Sequence, residues 1–513
     1  MTDTAPGDVS GTDLPGTDVS GTDVSGTSSA PFDNALLFSL TEWMPRQRWF
    51  GGKTTTPALR LIGSFDLPHG DAEVRVTTFL VLDEGGQQAR LYQVPLTVRS
   101  EREPDLEASL IVALSAEPGS DSPDTDVPVN AVTVGDEGAH TQFVYDGTHD
   151  LAYSGALLDL IARDQASDGT GGATATGRAQ LSGHPLTVTH AKVLSGEQSN
   201  SSIIMTVTTA EGEEHTPVIC KVFRVLHHGN NPDVVLQSAL AKAGSTRVPA
   251  SIGSVVGQWH DSRMPDGRTS GHLAFAQEFL PGVEDAWRVA LDAVESGRSF
   301  VAEAAALGEA TAEVHETLAS VLPTVAPSDD LVAGVMTSMR RRHGGAVREV
   351  PSLAEHNDAI ERVFEAAEAS PWPNLQRIHG DYHLGQVLHT PNGGWVLVDF
   401  EGEPLRPMVE RSQPDLVLRD IAGMLRSFDY VAGSYAQTHP GESATQWALD
   451  ARAAFLDAYI ARSGIDLRAN RALLDAFEID KALYEAIYEV RNRPTWVSIP
   501  TTAVARLANR PRG

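Results

Sequence analysis

The sequence predicts an α+β fold in two lobes, strands first and helices afterwards. Three observations predict it. Runs rich in β-branched residues recur as far as residue 280, helical periodicity dominates from residue 300, and one β-rich island interrupts the helices at 375–400. A length of 513 residues exceeds one ordinary core and implies two to four structural units. Hydrophobic residues at 41% and charged residues at 21% lie near globular averages, so most of the chain can bury a core.

Residues 1–31 read as a disordered acidic tail, because a Gly-Thr-Asp near-repeat with five Asp and no Lys or Arg has nothing apolar to bury. Order is expected from Phe32, where ALLFSLTEW carries apolar residues at helical spacing until Pro45 stops the helix and Gly51-Gly52 turns the chain. Two β-rich runs then flank Asp83-Glu84-Gly85-Gly86, a hairpin signature, so residues 32–150 form a small α+β unit. Segments 117–128 and 164–180 have the Gly, Ser, Thr and Asp content of loop insertions. From residue 187 a strand, a polar turn, a second strand and a third ending at Lys221 follow one another. Asn231 is a good N-cap and Pro232 fits the first helical position, so a helix starts there. Residues 251–280 read as further strands around an exposed turn.

Composition narrows the function. A net charge of −29 repels nucleic-acid backbones, and no basic patch offsets it, so a nucleic-acid partner is not expected. Cys220 is the only cysteine, which excludes an internal disulfide and a cysteine-rich zinc site and favours a reducing, cytoplasmic compartment. The start lacks a basic-then-apolar leader and no run of about 18 apolar residues occurs, so neither secretion nor a membrane is expected.

Two segments carry the chemistry. Ile378-His379-Gly380-Asp381-Tyr382-His383-Leu384-Gly385-Gln386 is followed by an apolar hairpin around Pro391-Asn392-Gly393-Gly394, which returns the chain at Asp399-Phe400-Glu401. Phosphoryl transfer needs this inventory: one carboxylate takes the proton of the attacking hydroxyl, while a second carboxylate and a neutral oxygen hold Mg²⁺ against the phosphates. Asp381 is the candidate base, Gln386 five residues on the amide ligand and Asp399 the principal metal ligand. The competing reading is a zinc site on His379 and His383, four apart, but Gly380 and Gly385 disfavour the helix that would align them. Asp420, at the start of an apolar helix, is expected to brace the Asp381 loop through its backbone N–H groups.

H-G-D-x-H-x-G-Q and D-F-E-G-E-P resemble the motifs of the aminoglycoside-phosphotransferase-type kinases and, within them, the bacterial maltokinases. Pro45 to Phe50, Arg419 to Tyr430, and Tyr484-Glu485 through Arg491-Asn492-Arg493-Pro494 match as well, and the resemblance covers about residues 32–510. It implies a bilobal protein-kinase-like fold: an N-terminal cap subdomain at 32–150, an intermediate and β-rich N-lobe to the hinge at 151–280, and a helical C-lobe with the catalytic loop and acceptor site at 281–513. It implies transfer of the ATP γ-phosphate, with Mg²⁺, to the anomeric hydroxyl of maltose, giving maltose 1-phosphate for α-glucan (glycogen) synthesis. A monomer or weak homodimer is expected.

By motif, Lys221 resembles the strand lysine on the nucleotide phosphates, Ser199 lies in the Ser195–Ser202 turn where a phosphate-covering loop belongs, and Glu278-Phe279 end a strand that resembles the adenine hinge. One departure stands out: no Glu occupies the first two turns of the helix after Lys221, leaving Asp233, or Asp399 with the nucleotide, as its partner. The acceptor residues implied are His383, Glu401, Lys481, Tyr484, Glu485, Tyr488, Glu489, Arg491, Arg493 and Trp496. Tyr484 and Tyr488 share one helix face beside Glu485 and Glu489, which suits a sugar but also an ion-pair network between the lobes. A glucosamine or aminoglycoside kinase uses the same parts, and a non-catalytic pseudokinase is the alternative from another class.

Overall fold

The computed structural model describes residues 30–53, 55–116, 132–134, 141–180, 186–194, 199–392, 394–404, 406–467 and 469–510. The acidic tail before residue 30, the 117–128 insertion and Ser195–Gln198 lie outside the described residues.

Apolar spacing builds the first helix, Ala30–Trp43, and Pro45 sits in the one-turn 3-10 segment that ends it. Leu36, Leu40 and Met44 from this element are buried against Phe79, Val81 and Val94. Those three come from strands Val74–Asp83 and Arg90–Arg99, an antiparallel hairpin whose last pair, Asp83 with Arg90, closes the Glu84-Gly85-Gly86 turn.

The cap strands are continuous with those that follow. Strand Leu59–Asp66 pairs on one edge with Val74–Asp83 and on the other with Ala166–Thr170. Through Thr174–Ala179 the sheet runs on into Ser251–His260, Arg268–Glu278, Val218–Phe223, Asn200–Thr208 and Thr187–Val193. Arg224 fastens the junction: it is fully buried, bonds both oxygens of Asp146 at 2.9 Å and lies 4.8 Å over the Trp49 ring.

Segment 164–180 is therefore not the loop its composition implies. It is a hairpin, Ala166–Thr170 with Thr174–Ala179, and the second strand pairs with six residues of Ser251–His260. Its small residues serve other ends. Gly171 and Gly172 take φ +61° and +72°, the left-handed pair of a tight hairpin turn, and a Cβ on Gly177 would lie 1.9 Å from the Leu160 carbonyl oxygen.

Helices build the second half. Val301–Val321, Leu418–Thr438, Thr445–Ser463 and Arg471–Asn492 bury Leu307, Phe428, Phe455 and Leu483 completely in one core. The β-rich island reduces to the hairpin Val387–His389 with Trp395–Leu397, joined at its edge by Glu284–Asp285. Among the described residues no helix is long and apolar enough to cross a membrane.

Candidate functional site

The loop before the hairpin is held from beneath. Asp420 is 1% exposed and accepts the backbone N–H groups of His379 and Gly380, each at 2.8 Å, and contacts His315 Nε2 at 3.0 Å. Burial alone would raise its pKa, but the His315 hydrogen bond and the neighbouring histidines and amide hold it below the usual carboxylate value. Gly380 is required: its φ is +85°, and a Cβ there would meet Gly402 Cα at 3.2 Å.

The zinc geometry is not formed. His379 stacks on Phe400 at 4.5 Å, and its Nε2 bonds the Val398 carbonyl at 2.9 Å. His383 instead caps the short turn Leu384–Gln386, its Nδ1 accepting Gly385 N–H at 3.0 Å. Burial lowers the pKa of His383.

Asp399, carried back by the hairpin, meets Lys221 at 2.8 Å and Gln386 Nε2 at 3.0 Å. Its φ of +66° is left-handed, a conformation that a non-glycine residue holds at a cost of about 1–3 kcal/mol and that clusters at functional sites. Lys221 Nζ also reaches Asp233 at 2.9 Å and Glu401 at 3.5 Å. Asp233, placed by the Asn231 cap, thus stands where the absent helix Glu was sought, and its other oxygen accepts Phe400 N–H at 2.7 Å. Burial would lower the Lys221 pKa, but the three carboxylates raise it well above the ordinary lysine value. Burial also pushes Glu401 up to about 7, with Asp399 and Asp233 adding to the rise against the pull of Lys221.

Asp381 opens on a second cluster. Lys481 Nζ bonds Asp381 at 3.0 Å and Glu403 at 2.7 Å. Burial would raise the Glu403 pKa, yet Lys481, Arg419 and Arg342 bring it down to about 2. One five-residue stretch joins the two clusters, with Asp399 and Glu401 on Lys221 and Glu403 on Lys481. Burial lowers the Arg411 pKa, against the charges of Glu401, Asp381 and Asp399, which act on it from both clusters.

The other residues singled out in the sequence have partners of their own. Glu401 accepts from Asn200 at 3.0 Å, next to exposed Ser199 at the start of its strand. The N–H groups of Glu278 and Phe279 are committed to the carbonyls of Ala250 and Pro217, at 2.8 and 2.7 Å. On helix Arg471–Asn492, Tyr484 lies under Lys481 and Arg342, at 5.1 and 5.7 Å from its ring. Glu485 is paired with Arg426 at 2.8 Å, Glu489 with Arg493 and Tyr430, and Arg491 with Glu349. These ion pairs lie within the helical lobe rather than between lobes. Tyr488 is 43% exposed with Arg493 over its ring, and Trp496 stacks on Tyr430.

Glu403 sits within the D-F-E-G-E-P motif and Asn200 within the 195–202 turn, and neither stands out there as a site residue. Their partners lie 78 and 201 residues away in the chain, so no local pattern marks them. Asp233, Asp399 and Glu401 bring carboxylate oxygens within 4.8 Å of one another, an all-oxygen set that fits Mg²⁺, and the Gln386 amide lies beside it with its Nε2 on Asp399.

Residues 43–150 match the family described as maltokinase N-terminal cap domain, and residues 236–474 match the phosphotransferase enzyme family, APH. A glucosamine kinase of Streptacidiphilus jiangxiensis is 30% identical over 53% of this chain, and one of Mycolicibacterium smegmatis is 27% identical over 55%. The chain spans 64% and 73% of the lengths of these two relatives. A solved glucosamine kinase in complex with glucosamine, ADP and inorganic phosphate superposes with a TM-score of 0.59 at 22% identity, covering 91% of this chain and 98% of that one. That likeness gives the fold: cap, β-rich N-lobe and helical C-lobe of the protein-kinase-like type. The chain thus carries a region matching the maltokinase N-terminal cap domain ahead of a region matching the APH phosphotransferase enzyme family.

Proposed function

We propose that this protein is an ATP-dependent sugar kinase, with the anomeric hydroxyl of maltose as the acceptor and maltose 1-phosphate, a feed for α-glucan synthesis, as the product. The observation that carries the reading is the 399–403 stretch that ties the two clusters together: Asp399 is held by Lys221 and Gln386, and Glu403 shares Lys481 with Asp381.

In this reading Lys221 binds the nucleotide phosphates, and Asp233 keeps its ammonium in place. Asp399 and Gln386, with Glu401 beside them, would hold Mg²⁺, which supplies charge neutralisation for the phosphates when bound. Asp381 uses the oxygen not on Lys481 to take the proton of the acceptor hydroxyl as the sugar oxygen attacks the γ-phosphorus and the bond to ADP breaks. The carbonyls of Glu278 and Phe279 face the adenine, their amides being engaged elsewhere. Tyr484, Tyr488 and Trp496 are the candidate faces for a sugar ring, with His383, Lys481, Glu485, Glu489, Arg491 and Arg493 as the candidate polar partners.

A second reading, glucosamine as acceptor, is favoured by the name that both curated relatives carry. A coupled ADP-release assay with maltose, glucose, glucosamine, trehalose and an aminoglycoside separates the two, with the phosphorylated position read by NMR. Phosphate on O1 of maltose is the expected result. Absence of sugar-dependent ADP release with all five overturns the kinase reading.

A further inference from the structure

We infer that Lys481 restricts the acceptor site to neutral sugars, because its own ammonium fills the position that the ammonium of an amino sugar would take. The inference rests on the kinase reading and deepens it by naming the substrate class.

An ammonium-binding site in a protein is made of converging carboxylates, commonly with an aromatic face beside them. The cleft contains one. Asp381 and Glu403 converge on a point 3.0 and 2.7 Å away, and the Tyr484 ring lies 5.1 Å from the same point. That point is Lys481 Nζ. Glu403 is 3% exposed, so its carboxylate is fixed in place against Lys481. The lysine cannot easily withdraw. It sits in the middle of the 22-residue helix Arg471–Asn492, between fully buried Ile479 and the buried pair Ala482-Leu483, and its side chain is 15% exposed.

Other acidic side chains of this helix are paired in the same way. Asp480 holds Arg342 at 2.8 Å, Glu485 holds Arg426 at 2.8 Å and Glu489 holds Arg493 at 2.6 Å. Each of these carboxylates already has a resident cation, so an incoming ammonium would meet like charge at every acidic position of the helix. Neutral hydroxyls carry no such penalty and can share the same oxygens. On this basis the chain differs from its relatives named glucosamine kinase in the charge its acceptor site accepts.

The test uses the full chain with Mg-ATP at pH 6.5, where an amine is protonated. Wild type, Lys481→Met and Lys481→Arg are compared for kcat/KM on maltose, glucose and glucosamine. Wild type should favour the better neutral sugar over glucosamine at least tenfold. In Lys481→Met that ratio should move at least tenfold toward glucosamine, even though release of Asp381 lowers turnover with every acceptor. Lys481→Arg should keep the neutral preference. Wild-type preference for glucosamine overturns the inference while leaving the kinase reading intact, and so does an equal loss on all sugars in Lys481→Met. Wild type inactive on every sugar overturns both.

Discussion

Replacing Asp420 by Ala removes the acceptor from two backbone amides that have no other support, His379 N–H and Gly380 N–H, each now bonded at 2.8 Å. Leaving one buried amide unpaired costs about 1–3 kcal/mol, so the pair sums to about 2–6 kcal/mol. At 1.4 kcal/mol per decade this is roughly a 30- to 20,000-fold rise in local opening of the 376–386 segment. The assay is hydrogen–deuterium exchange of that segment by mass spectrometry, beside an exchange profile of the cap strand Val74–Asp83 as the control. Asp420→Asn should fall between wild type and Ala, because it keeps one oxygen but turns an NH₂ toward the second amide. The pH dependence has a definite sign. The folded pKa is lowered, so the stabilisation is complete above the unfolded value near 4 and is lost as pH falls through the lower folded one. Exchange of 376–386 in Asp420→Ala within threefold of wild type would refute the bracing argument.

Asp381→Asn should keep ATP affinity and lose about 10²- to 10⁴-fold in turnover; near-wild-type turnover removes Asp381 from the role of base. Asp233→Ala should weaken both ATP binding, through Lys221, and the seating of Phe400, whose N–H it accepts. If calorimetry and kinetics both leave that variant unchanged, Asp233 is not the lysine's working partner. Glu401, with a pKa raised to about 7, binds a proton in the folded state that it loses in the unfolded one. Stability should therefore fall as pH rises from about 4.5 to about 7, and Glu401→Gln should flatten that slope in denaturant titrations; an unchanged slope rules Glu401 out as its source.

Local signals carried much of the architecture into the sequence. The hairpin at Asp83-Glu84-Gly85-Gly86, the Asn231-Pro232 helix start and the Asp399 return were readable because each depends on a few neighbouring residues with fixed backbone preferences. The brace from Asp420 was readable for the same reason, an acid opening an apolar helix. The 164–180 hairpin was not, since its small residues answer to Leu160 and Ser64, which lie outside the segment. The charge pairs of helix Arg471–Asn492 were equally hidden, because Arg342 and Arg426 arrive from other helices. Asp233 was legible only as one of two options for Lys221, and the structure bonds the lysine to both.

The unbroken strand ladder from cap to nucleotide lobe makes the cap a lever arm. Rotation of Arg268–Glu278 about its end at Glu278 carries Leu59–Asp66 and everything beyond it, because swinging the cap alone would part the Ser64 and Phe65 pairs and unseat Arg224 from Asp146. A small closing angle at the cleft is thus a long arc at strand Leu110–Ala116. A pair of fluorophores, one on that far strand and one on helix Asn357–Glu368, would read cleft closure as a distance without touching the cleft itself.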